Sequence, residues 1–179
     1  LWSRGLGDVY KRQPYTIVKY YLRGQVMIDI KNTNYDLLQK QLSSLIEDET
    51  NLIAILSNAS ALINDNMDKI NWVGFYLIEE NELILGPFQG HPACVHIQIG
   101  KGVCGTAVST NETQVVKDVH QFPGHIACDA NSNSEIVVPI HKDGKIIGVL
   151  DIDAPIKNRF NDQDRIGLEK IVSIIENQI

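Results

Sequence analysis

The stretch "SEIVVPIHKDGKIIGVLDIDAP", residues 134–155, restricts the fold more than any other. Two β-rich runs flank Asp143-Gly144. That dipeptide suits a two-residue hairpin turn because both positions tolerate positive φ. A hairpin there requires an antiparallel sheet. In its second run, Ile147, Val149, Asp151 and Asp153 fall on one strand face, and Ile146, Gly148, Leu150 and Ile152 on the other. Two acids side by side at the end of an apolar strand are costly to bury unless a cation or hydrogen-bond donor meets them. They either bind an ammonium group or handle a proton, or they are solvated at a strand terminus where Asp153 begins a turn before Pro155. Glu135 opens the partner run and lies near the same acids across the hairpin, unless it is an exposed strand start. Three carboxylates on one small surface raise each other's pKa and leave a usable proton donor.

A second hairpin is read in "INWVGFYLIEENELILGPF", where "EEN" separates two runs of aromatic and β-branched residues. Trp72, Gly74 and Tyr76 share one face of its first strand, and Val73, Phe75 and Leu77 share the other. Trp72 and Tyr76 are either core or the wall of a pocket for a flexible apolar ligand, and a thioether is a good partner for such rings.

Helical periodicity appears before and after the strands. "NYDLLQKQLSSLIEDE" spaces Leu37, Leu38, Leu42, Leu45 and Ile46 for one face, with Asn34 as N-cap. "TNLIAILSNASALINDN" repeats this with Leu52, Ile53, Leu56, Ala59 and Ile63. "FNDQDRIGLEKIVSIIENQI" closes the chain as a helix, with Asn161 as N-cap and Asp162 and Asp164 in its first turn. The order of elements predicts an α+β domain with an antiparallel sheet. Residues 89–133 are rich in Gly, His, Asn and Pro. "GKGVCGTAVS" predicts a short helix and "TQVVKDV" a short strand, and "HQFPGHIACDANSNS" reads as long loop.

Residues 1–26 carry Arg4, Lys11, Arg12, Lys19 and Arg23 against one acid, Asp8, and keep no regular period. They read as a non-native or mistranslated extension, with Met27 as the natural start and residues 27–179 as a single domain. The competing reading is a native basic arm. The net charge of −6 argues against sequence-independent nucleic-acid binding. No apolar run approaches the roughly 20 residues of a membrane helix. No continuous apolar segment resembles a signal peptide, so a cytoplasmic protein with thiols reduced at rest is expected.

Three cysteines, Cys94, Cys104 and Cys128, sit in the irregular middle. His91, Cys94, His96, His125 and Cys128 offer metal-ligand chemistry, yet no Cys pair has zinc-site spacing and no metal is expected. Structural staples are not expected in the cytoplasm, and inert buried thiols are the bland alternative. Redox catalysis fits better. Cysteines on loops can approach, bond and separate, and nearby His, Lys101 or a helix start after "GKG" can lower a thiol pKa.

Taken together, "INWVGFYL", "ELILGPFQGHPACVHIQIGKGVCGTAV", "TQVVKDVHQFPGHIACDANSNSEIVVPI" and "GVLDIDAP" resemble the free methionine-(R)-sulfoxide reductases, over roughly residues 34–178. The resemblance implies a GAF-like fold: an antiparallel sheet with flanking N- and C-terminal helices. It implies Cys128 as the catalytic thiol, Cys94 as the resolving thiol, and Cys104 as an auxiliary one. It carries substrate binding to Trp72, Tyr76, Glu135, Asp151 and Asp153, and points to backbone N–H groups of the 125–134 loop for the substrate carboxylate. It implies free methionine sulfoxide as substrate, thioredoxin as reductant, no cofactor, an R preference and a homodimer. The rival class is a GAF-like binding module that senses a small ligand, redox state or metal.

Overall fold

The computed structural model describes residues 21–22, 25–26, 33–124, 126 and 130–179. The chain divides into two compact units, Leu1–Lys31 and Asn32–Ile179. In the first, Tyr21–Leu22 and Gln25–Val26 form a short antiparallel ladder. Most of the basic 1–26 segment, and Met27 itself, lie outside the described residues.

The second unit opens with helices α1 (Tyr35–Ile46) and α2 (Leu52–Asn66). The Asn34 and Asn51 side chains accept from Leu37 N and Ala54 N, so each satisfies a backbone donor that the first helical turn leaves open. Strands β1 (Trp72–Glu79) and β2 (Glu82–Gly90) form the first hairpin. The short strand β3 (His96–Gln98), helix α3 (Gly102–Thr110) and strand β4 (Gln114–Val116) follow. A second hairpin, β5 (Ser134–Lys142) and β6 (Lys145–Ala154), leads to helix α4 (Asp162–Glu176). Asp143 and Gly144 turn that hairpin with φ of 51° and 73°, the positive values its tight loop demands. Asn161 caps α4 in a full capping box with Asp164. Among the described residues, no helix is long and apolar enough to cross a membrane.

The six strands form one antiparallel sheet in the order β3-β2-β1-β6-β5-β4. Its centre is the β1–β6 pair, so the strand that carries Asp151 and Asp153 lies beside the strand that carries Trp72 and Tyr76. Alternation sends Val73, Phe75, Leu150, Ile152 and Ala154 to one face. There they join Leu38 and Leu42 of α1, Leu56 and Ile63 of α2, and Leu168 and Ile171 of α4. The other face collects Trp72, Tyr76, Val137 and Val149 under Val103, Cys104 and Ala107 of α3.

Three expectations need correction. Ile147 does not share the face of Val149. The pairing slips between Ile140↔Gly148 and His141↔Ile146. The extra residue sends Ile147 to the helix-covered core and Ile146 to the opposite one, because a bulge inverts the side-chain alternation beyond it. Ile53 is 54% exposed, since α2 buries Ile55, Leu56, Ala59 and Leu62 instead. His96–Gln98, within the segment read as irregular, is an edge strand paired to β2.

Candidate active site

The strand register builds the site. Glu135 of β5, Asp153 of β6 and Trp72 of β1 lie opposite one another in one row. Val137, Asp151 and Gly74 form the next row, and Pro139, Val149 and Tyr76 the one after. Glu135, Asp151 and Asp153 therefore share the α3 face of the sheet with both aromatics.

Two glycines make room for the Trp72 indole. A Cβ on Gly74 would stand 2.6 Å from Trp72 Cη2, and one on Gly90 would stand 2.5 Å from Trp72 Cδ1. The ring lies between these two close approaches, and any side chain there would displace it. Trp72 stacks on Phe88 at 5.3 Å and on Tyr76 at 5.9 Å. Its Nε1 donates to the His91 carbonyl at 3.1 Å. The Tyr76 hydroxyl donates to the Cys94 carbonyl at 3.0 Å, and Leu85 N donates to Val95 O. The first hairpin thus holds the Cys94 segment by its backbone.

A pocket with about 480 Å³ of empty space, its open mouth included, forms between these groups. Trp72, Tyr76 and Ile97 line it from the aromatic side, and Gly102, Val103 and Cys104 from the start of α3. Ser132, Glu135, Asp151 and Asp153 line it from the β5–β6 side, and Ile126 from the loop. The structure therefore brings together six residues singled out in the sequence: Trp72, Tyr76, Cys104, Glu135, Asp151 and Asp153. Cys94 is half-buried and disulfide-bonded, while Cys104 is a free, buried thiol. Cys128 and His125 lie outside the described residues.

Burial governs the chemistry of the acids. Glu135 and Asp151 are each only 6% exposed. Loss of water pushes the Glu135 carboxyl well above the usual carboxylate range, and the charges of Asp151 and Asp153 add to this. Asp151 is pushed up to about 7 by burial, while hydrogen bonds with Cys104 and Glu135 pull the other way. At neutral pH the pocket therefore holds a proton on its acids. Cys104 Sγ donates to Glu135 Oε1 at 3.9 Å. Burial and the neighbouring carboxylates push the Cys104 thiol up. The expectation that a helix start lowers a thiol pKa thus fails at this cysteine, because desolvation and two acids outweigh the dipole. Tyr76 is pushed up for the same reasons, so its phenol stays protonated.

Of the surface metal ligands considered from sequence, His125 and Cys128 lie outside the described residues. His91 is exposed, and His96 pairs with Glu82 at 3.0 Å. Cys104, Glu135 and Asp151 are instead the described residues whose ligand atoms lie within 4.8 Å of one another. Sequence reasoning missed Phe88, Ser132 and Ile126. Phe88 had a legible signal, an aromatic at the end of the β2 run. Ser132 had none, for it depends on the bond that Asn71 Nδ2 donates to its hydroxyl at 3.2 Å. Gly74 was readable as a close-approach position beside a tryptophan, whereas Gly90 meets the indole only through the β1–β2 pairing.

Comparison with known proteins agrees with this geometry. The GAF domain family matches residues 45–179. The Escherichia coli protein named free methionine-R-sulfoxide reductase is 51% identical over 146 residues, covering 82% of this chain and 88% of its own. The reduced form of fRMsr of Staphylococcus aureus is 76% identical, with a TM-score of 0.83, over 85% of this chain and 99% of that one. Its complex with substrate gives 76% identity and a TM-score of 0.81, over 83% and 97% of the two chains. With a GAF fold and this degree of identity across most of both chains, the protein belongs to the GAF-domain family of free methionine-R-sulfoxide reductases.

Proposed function

We propose that this chain reduces free methionine (R)-sulfoxide to methionine, using its own cysteines. One observation carries the reading: a single pocket joins an aromatic wall to a buried, proton-bearing set of acids, and Tyr76 of that wall donates to the Cys94 carbonyl. The aromatic wall suits the thioether part of the substrate. A sulfoxide sulfur is a poor electrophile until its oxygen is protonated or strongly hydrogen-bonded. Glu135 and Asp151 hold the needed proton, and the charged acids among the three receive the substrate ammonium. Peptide-bound methionine sulfoxide has no such ammonium, which explains a preference for the free amino acid.

Cys128 is the proposed nucleophile. Its thiolate attacks the sulfoxide sulfur, the oxygen passes to Cys128 as a sulfenic acid, and methionine leaves. The Cys94 thiol then displaces water from that sulfenic acid to form a disulfide. Cys94 is disulfide-bonded while Cys104 keeps a free thiol, which supports Cys94 rather than Cys104 as the resolving thiol. A dithiol such as thioredoxin reopens the bond. Cys104, protonated and facing Glu135, supports the acid rather than attacking substrate.

The test is consumption of free methionine sulfoxide by the purified chain with dithiothreitol, with the R and S epimers assayed separately. Turnover of the R epimer alone is expected. Failure to consume either epimer would leave a binding module as the surviving reading.

A further inference from the structure

We propose that Cys104, Glu135 and Asp151 form a site for a thiophilic divalent ion of the Zn²⁺ class, set in the wall of the pocket. The three residues come from α3, β5 and β6, and their ligand atoms lie within 4.8 Å of one another. All three are at least nine-tenths buried. The second observation is an orphan: among the described residues, Asp151 Oδ1 is buried and has no hydrogen-bond partner. A buried carboxylate oxygen without a donor is costly, and a cation among the three side chains would satisfy it. No Lys, Arg or His is among the described residues that line the pocket, so the acids meet no protein cation there.

The donor set decides which ion fits. One sulfur and two carboxylate oxygens suit a borderline-soft ion, whereas Mg²⁺ and Ca²⁺ take oxygen ligands. Zinc bonds of about 2.3 Å to sulfur and about 2.1 Å to oxygen place tetrahedral neighbours about 3.6 Å apart. The Cys104 Sγ to Glu135 Oε1 distance of 3.9 Å needs only a small contraction to meet this. Three protein ligands leave a fourth position open toward the pocket. Bound ion and substrate would then claim the same acids, and the ion would inhibit. The binding step stands apart from the reductase reading; only inhibition rests on it.

The experiment titrates Co²⁺ into the intact chain with the Cys94 disulfide closed and no added thiol, and records sulfur-to-cobalt charge-transfer absorption. Bands are expected, displaced by Zn²⁺ and untouched by Mg²⁺. Cys104→Ser should abolish them, and Asp151→Asn should weaken the affinity at least about tenfold, as much as losing even an outer-shell partner costs a metal site. Absence of bands overturns the proposal. So do bands that persist in Cys104→Ser, or an unchanged affinity in Asp151→Asn. Should Cys104→Ser not fold, the Asp151→Asn affinity decides alone. Cobalt absorption requires no turnover, so failure of the activity assay leaves this test intact.

Discussion

On one face of the sheet, Leu150, Ile152 and Ala154 of β6 enter a core sealed by three helices. On the other, the same strand places Val149 in a second apolar cluster and presents Asp151 and Asp153 to a pocket. The first face holds only apolar groups at its centre and works by area removed from water. The second buries carboxyls at a cost, and among the described residues Asp151 Oδ1 has no donor. One strand, ten residues long, thus separates what stabilises the fold from what weakens it for the sake of chemistry. Destabilised polar groups of this kind are expected at functional sites.

The largest effect expected from this contrast is on activity. Asp151→Asn should lower kcat/KM by roughly ten- to ten-thousand-fold, the span of a general-acid contribution, without lowering Tm. Its pH dependence follows from the direction of the shift. The folded-state pKa of Asp151 is raised, so the protein gains stability from the protonated form below the ordinary carboxylate range. That stability is lost as pH rises from there through about 7. The Asn variant should lose less stability than wild type over this window in thermal melts. A steeper fall in the variant would break the contrast.

Next comes the helix-covered face. Leu150→Ala should cost about 2–5 kcal/mol by denaturant unfolding, as buried Leu truncations do, while the KM of the folded fraction stays near wild type. A raised KM with intact stability would show that the two faces are not separate. The smallest effect is assigned to Gly74→Ala. Its Cβ meets Phe88 Cβ as well as the indole, so the aromatic wall must shift. KM should rise several-fold, with a stability cost of about 1–3 kcal/mol for overpacking. Unchanged KM would remove Trp72 from substrate binding.

Much of this division is legible in the sequence because its signals are local. The Asp143-Gly144 turn, the N-caps Asn34 and Asn161, and the alternation of β1 each depend on a few neighbouring residues. The grouping of Glu135, Asp151 and Asp153 also followed, since one hairpin carries all three. What escaped depends on distant partners. The bulge that reverses Ile146 and Ile147 lies in the pairing with β5. Among the described residues, strand β3 pairs only with β2, and its alternation of exposed His96, buried Ile97 and exposed Gln98 is too short to stand out as a period. The Cys104 thiol is raised first by burial and then by Asp151 and Glu135, the latter 31 positions away.

The central claim is that Cys128 attacks and Cys94 resolves, and single-turnover chemistry tests it most directly. Prereduced Cys94→Ser, mixed with excess free methionine (R)-sulfoxide and no reductant, should release about one methionine per chain. It should leave a sulfenic acid that dimedone traps on Cys128. Cys128→Ser should release none. A burst from Cys128→Ser and none from Cys94→Ser would reverse the two roles and contradict the account.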